Sequence, residues 1–263
     1  MGDFSTLRLK HPRPGVVEVV MAREAVHNAF DETMIAELDA AFTQLDSDNS
    51  VRLIVLSGEG NHFSAGADVT WMQRASAASS EWNLADARRF AEMLGKVAAC
   101  SKPTLARVQG AAIGGGVGLV AACDIAIAAD SAVFAVSEAR LGILPAVIGP
   151  HLVNAIGRRQ AQRLALSAQR FTAQLALDLG LVHEVVPIAQ FDRRVQATIK
   201  ELLQAGPMAQ REIKDYFARL AVGPVDETTR EFSAQTIARV RATDEARAGL
   251  AAFLAKQPAP WAR

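Results

Sequence analysis

Two short segments carry the residue types and spacing that could hold a reacting group. His62-Phe63-Ser64-Ala65-Gly66-Ala67-Asp68 and Ile113-Gly114-Gly115-Gly116-Val117-Gly118 consist mostly of small residues. Each follows an apolar run and leads towards a helical stretch. Small side chains let a ligand approach the main chain. Amides at a turn or a helix N-terminus carry partial positive charge and lack intrahelical partners. Two such loops aimed at one point would grip an oxygen as it gains negative charge. Each is equally explained by tight packing of a helix on a strand, and residue types alone leave both accounts open.

Four other chemistries fit less well. Gly116-Val117-Gly118-Leu119-Val120-Ala121 satisfies the dinucleotide pattern G-x-G-x-x-A. However, the preceding strand ends near Val108, the helix is barely two turns long, and the acidic Asp130 comes too early for the usual spacing. Ser64-Ala65-Gly66 is half of a nucleophile elbow, but His62 stands where its first glycine belongs. No P-loop lysine follows the glycines, and the five histidines show no metal-ligand spacing, so no metal site is expected.

The elements that must position these loops read as an α/β domain. Val16 to Val20 is a short β-branched run after Pro14-Gly15, hence a strand. Asp31 offers an N-cap to a helix whose apolar stripe is Met34, Ile35, Leu38, Ala41, Phe42 and Leu45. Val51 to Leu56 reads as a buried strand, and residues 80–99 as a helix with Leu84, Ala87, Phe90, Leu94 and Val97 on one face. Pro103 stops that helix. Extended chain follows over 104–108, then the glycine cluster and a helix to about Ala122, then strands at 124–129 and 133–136. Such alternation argues for largely parallel pairing. Beyond about residue 190 strand signals vanish. Helical stretches are expected near 190–204, 208–221 and 226–254, one of them striped by Ile213, Phe217 and Leu220. This part has too few apolar positions to stand alone, so it should pack on the first part or on another subunit.

Composition narrows the partners. The 263 residues carry 28 basic and 28 acidic side chains, so the surface has no electrostatic footprint for nucleic acid or an anionic membrane. Met1 to Lys10 has no continuous apolar run, and nowhere do about 20 uncharged apolar residues follow one another, which places the expected address in the cytoplasm. Cys100 and Cys123 read as small buried hydrophobes of a reducing compartment.

Five segments in order resemble the crotonase (enoyl-CoA hydratase/isomerase) superfamily over nearly the whole chain. They are Asn28-Ala29-Phe30, His62 to Val69, Val108-Gln109-Gly110 to Cys123-Asp124, Ser137-Glu138-Ala139-Arg140-Leu141-Gly142-Ile143-Leu144-Pro145, and Ala176 to Val186. The resemblance implies a ββα spiral core over residues 1–195 and a C-terminal helical oligomerisation region over 196–263. It implies that the amides of Ala65 and Gly115 hold a thioester oxygen. Val26, Phe63, Ser64, Ala67, Asp68, Val69, Met72 and Gly114 would line the path of the acyl-CoA. Phe253-Leu254-Ala255-Lys256 resembles the element that reaches a neighbour's CoA site, so Phe253 and Lys256 join the expected binding residues of a trimer or dimer of trimers. Coenzyme A enters as part of the substrate, and no separate cofactor is expected.

The reaction is less determined. Family hydratases carry one glutamate in the glycine-rich helix and one in the later segment, where environment can push two carboxylates apart in pKa. Here the later one is Glu138, and Gly118 occupies the first position. Glu138 could serve hydration through a single water, or shuttle a proton in an enoyl-CoA isomerase, or a different group could supply the missing acid. A CoA-binding relative without chemistry is the alternative outside catalysis. Ala146-Val147-Ile148-Gly149-Pro150-His151, with Gly118 and Trp71-Met72, is similar to the bacterial methylglutaconyl-CoA hydratase-like subgroup. That points to a hydratase for a branched acyl group bearing a distal carboxylate, for which Arg88, Arg89 and Arg140 are the candidate cations.

Overall fold

The structure, a computed structural model, describes residues 4–262; residues 1–3 and 263, the outer ends of the two expected regions, lie outside it. Strands β1 (Leu7–Arg13) and β2 (Val16–Met21) form an antiparallel pair turned at Pro14-Gly15. Helix α1 (Glu32–Ser47) follows. Asp31 caps it by accepting from Met34 N at 2.8 Å, and all six stripe residues are buried. Strand β3 (Leu53–Gly58) is buried at every position, which explains its unbroken apolar run. Helices α2 (Val69–Ala77) and α3 (Ser80–Ala99) come next, then β4 (Thr104–Val108), β5 (Ala111–Ile113), α4 (Gly115–Ala122), β6 (Ile125–Ala129) and β7 (Val133–Ala135). The chain continues through α5 (Gly149–Ser167), β8 (Arg170–Thr172), α6 (Ala173–Asp178), β9 (Glu184–Val186) and α7 (Ile188–Leu203). It ends with α8 (Pro207–Arg219), α9 (Glu227–Arg241) and α10 (Asp244–Leu254).

The main sheet runs in the order β1-β2-β3-β4-β6-β9 and is parallel from β2 onwards. A smaller sheet, β5-β7-β8, pairs β5 parallel to β7. The parallel α/β expectation holds. Strands β3, β4 and β6 are adjacent and parallel, so the segments after them leave from the same end of the sheet.

Several details differ from the sequence expectation. In α3, Leu94 and Val97 are buried, whereas Leu84 is 52% exposed and Ala87 is also exposed. The N-terminal half of that stripe faces a cavity and solvent rather than the core. The helix expected over 226–254 is two helices, because Thr243 N-caps α10 by accepting from Ala246 N. The division expected at 195/196 falls inside α7, whose Phe191, Val195 and Ile199 form a second apolar cluster with Leu53, Val55, Leu105 and Ile127 of the sheet. Beyond α7 the stripe of α8 is uncovered, with Ile213 and Phe217 exposed. Among the described residues no helix is long and apolar enough to cross a membrane. Cys100 and Cys123 are free and buried, and burial pushes both thiols up to about 12, far from the reactive thiolate range.

Candidate active site

The loop after β3 and the turn after β5 are stitched together by backbone hydrogen bonds. Ser64 N donates to Ala111 O and Ile113 N to Ser64 O, both at 2.9 Å, so the 62–68 segment extends the small sheet beside β5. Gly66 (φ 90°) lies directly against Ile113-Gly114, where a methyl on it would stand 2.8 Å from Ile113 O. On the other side of β5, β7 delivers Ser137 and Glu138, and Gly114 N donates to Ala135 O at 2.8 Å. Gly114 (φ 51°) opens α4, and a methyl there would sit 3.2 Å from Glu138 Oε1. The two small-residue loops and the carboxylate, far apart in sequence, are brought to one place by neighbouring parallel strands.

That place is a cavity of about 390 Å³. Ala65, Ala67, Gly114, Gly115 and Glu138 lie in its lining, with Phe30, Trp71, Met72, Phe90, Leu144 and Ile148 among its apolar walls. Glu138 is the one ionisable side chain in that lining. It is half-buried, its Oε2 has no hydrogen-bond partner among the described residues, and burial raises its pKa against the partly opposing pull of nearby backbone amides. A carboxyl so placed is suited to moving a proton. It is joined in the cavity by main-chain donors. The Gly115 amide, at the first position of α4, has no acceptor among the described residues.

The other donor is not the expected one. Ala65 N donates to His27 O at 2.9 Å and is therefore occupied. Phe30 pairs with Ala67 in a parallel bridge, its N donating to Gly66 O and its O accepting from Asp68 N. In such a bridge the residue opposite turns its own N–H to the other side. The Ala67 amide is accordingly without an acceptor among the described residues, and Ala67 lines the cavity. The free pair is Ala67 and Gly115.

The remaining expected residues divide by what they touch. Met72, Ala67 and Gly114 line the cavity. Phe63 is wholly buried in the core, and Ser64 Oγ donates to Asn28 O at 2.8 Å while accepting from Gly66 N, so neither is available to a ligand and Ser64 is no nucleophile. His62 Nδ1 accepts from Ala111 N at 3.0 Å, a structural role. Asp68 N-caps α2 through Thr70 N and Trp71 N, and pairs with Arg23 Nη2 at 3.0 Å. Burial would raise its pKa, but these amides and the guanidinium outweigh that and hold it low. Val26 and Val69 are exposed and lie outside the cavity lining. Phe253 is 77% exposed on α10, and Lys256 follows that helix with φ 56°, also outside the lining. Arg88 and Arg140 are exposed, Arg89 pairs with Asp86, and none of the three reaches the lining.

Two positioning residues escaped the sequence. Arg23 donates to Ala29 O and bridges Asp31 to Asp68. Asn28, wholly buried with φ 56°, donates to Glu59 O and His62 O and accepts from Arg23 N. Together they fix the 23–30 turn against the 59–68 loop. Asn28 stood within a matched motif, but nothing in its surroundings in sequence foretold a buried left-handed residue.

The fold and the cavity set two unoccupied main-chain amides and one carboxyl around a single apolar space. A family model for enoyl-CoA hydratase/isomerase matches residues 12–263. A crystallised enoyl-CoA hydratase from Shewanella pealeana is 37% identical, with a TM-score of 0.94 covering 98% of this chain and 96% of that one. AtuE of Pseudomonas aeruginosa is 36% identical, with a TM-score of 0.93 covering 98% and 100%. A Mycobacterium bovis protein whose name gives enoyl-CoA hydratase as its probable activity is 33% identical over 242 residues, 91% of each chain. The chain belongs to the enoyl-CoA hydratase/isomerase family and has the crotonase fold with C-terminal helices.

Proposed function

We propose that this protein is an enoyl-CoA hydratase that uses Glu138 as its single proton carrier. The observation that carries this reading is the pairing, in one apolar cavity, of one partnerless carboxyl oxygen with two unoccupied amides. The thioester oxygen accepts from Ala67 N and Gly115 N, which stabilises the enolate form. Glu138 takes a proton from water as the hydroxyl adds to the β-carbon, and returns that proton to the α-carbon. The sum is one water added across the double bond, with the carboxylate restored. Relatives named as enoyl-CoA hydratases support the choice.

Isomerisation of a 3-enoyl-CoA is the second reading, favoured by the absence of any other ionisable group from the lining. Glu138 would remove an α-proton, the electrons would move to the thioester oxygen, and reprotonation at the γ-carbon would leave the double bond conjugated. The test uses purified protein with crotonyl-CoA, 3-methylglutaconyl-CoA and a 3-enoyl-CoA, following the conjugated-enone absorbance. Loss with either of the first two supports hydration. A gain with the third alone supports isomerisation, and no change with any of them leaves a CoA-binding relative without chemistry.

The acyl group follows from the walls. The resemblance of the 146–151 segment, with Gly118 and Trp71-Met72, favours a branched substrate such as 3-methylglutaconyl-CoA, yet the lining offers its distal carboxylate no cation. An uncharged branched acyl group fits the cavity better, and the same assay separates the two. The uncovered faces of α8 and α10, with Ile213, Phe217, Leu250 and Phe253 exposed, support a trimer or dimer of trimers in which Phe253 and Lys256 meet a neighbour's CoA. Exposed Val26 and Val69, flanking the 65–68 loop, would meet the CoA bound in their own subunit.

A further inference from the structure

Gly114 is the N-cap of α4, and Gly118, one turn on, donates its N–H to Gly114 O at 3.2 Å. A side chain at 114 would meet Glu138, and one at 118 would meet Ile148. A methyl on Gly118 would stand 2.3 Å from Ile148 Cγ2 and 2.9 Å from its Cβ, distances that no side chain tolerates. Ile148 is 2% exposed, stands at the N-cap of α5, and belongs to the cavity lining. The missing side chain at 118 is thus the space that Ile148 fills. It is occupied ground rather than an empty socket beside the carboxylate.

We propose that Ile148, seated on Gly118, is a specificity-determining residue that limits the size of the acyl group reaching Glu138. This rests on the acyl-CoA reading above. Because the contact is side chain against bare backbone, Ile148 cannot retreat towards α4, and bulk in the acyl group must be accommodated at its expense. Shortening Ile148 enlarges the cavity beside the reacting carbons. A methyl at 118 drives Ile148, and with it the start of α5, towards the cavity.

The test compares wild type, Ile148→Ala, Ile148→Val, Gly118→Ala and the double variant Gly118→Ala/Ile148→Ala. Crotonyl-CoA and 3-methylcrotonyl-CoA are the substrates, and dissociation constants for butyryl-CoA and isovaleryl-CoA come from calorimetry. One to three extra carbons of space are worth about tenfold or more in discrimination. Ile148→Ala should therefore raise the preference for the branched member by about tenfold, chiefly through KM and the dissociation constant. Ile148→Val should give a smaller shift of the same sign. Gly118→Ala should lower the preference, and the double variant should regain it. Branched-to-linear ratios unchanged in both Ile148 variants would overturn the proposal, whatever Gly118→Ala does to folding. If wild type turns over no enoyl-CoA, the reading of the reaction fails, while the dissociation constants still decide the role of Ile148.

Discussion

The amide of Ala65 donates to the carbonyl of His27 at 2.9 Å, which leaves the neighbouring Ala67 amide as the loop's free donor. Replacing single amides with esters, by incorporating the hydroxy-acid analogue of alanine, separates the two. An ester at 67 should lower kcat by about 10²–10³-fold, the usual effect of losing one oxyanion donor. An ester at 65 should cost about 1 kcal/mol of stability, as for an ordinary hydrogen bond, and leave kcat largely intact. The reverse pattern would return the role to Ala65.

Glu138→Gln should lose most turnover while still binding acyl-CoA. The pH dependence has a defined sign. Burial raises the folded-state pKa of Glu138 above its unfolded value, so between the two the folded state binds more protons. Acidification through that window should stabilise wild type relative to Glu138→Gln, and the gain should vanish above the folded pKa. Thermal melts of both proteins from pH 7 to pH 4.5 measure this. The acid limb of the activity profile should also lie above the range of an exposed glutamate.

Asp68 has the opposite sign. Its pKa is held down by Trp71 N, Thr70 N and Arg23. Its stabilisation is full above about pH 4, the unfolded carboxylate value, and is lost as pH falls through the lower folded value. Asp68→Ala removes a helix cap and one of the two carboxylates that Arg23 pairs with, which should cost about 2–4 kcal/mol in denaturant melts. A loss under 0.5 kcal/mol would mean that the clamp contributes little.

Asn28→Ala leaves the carbonyls of Glu59 and His62 and the amide of Arg23 without their partner. A penalty of about 2–4 kcal/mol is expected from these losses and from the left-handed backbone that asparagine tolerates better than alanine. Because the 59–68 loop is anchored there, kcat should fall as well. Stability lost with kcat retained would restrict Asn28 to folding.

Much of the scaffold was legible because it depends on local periodicity. The Asp31 cap, the six-residue stripe of α1, the run of β4 and the limits of α3 and α4 are patterns within one element. The short elements β8, α6 and β9 were not, since three to six residues carry too little pattern and owe their form to tertiary pairing. Thr243 within the 226–254 stretch was missed because its neighbours on both sides favour helix.

The sequence by itself determined that two small-residue loops follow apolar runs, and its resemblance to the family singled out Glu138 as the carboxylate to place beside them. Residue types and order suffice for the first, and a matched motif for the second. Tertiary structure alone decided which amides are free and what stands opposite Glu138. The direction of an N–H in the loop depends on the positive φ of Gly66 and on where His27 and Phe30 lie alongside. Likewise, Gly118 is a bare position in the sequence and becomes the seat of Ile148 only when α4 and α5 pack together.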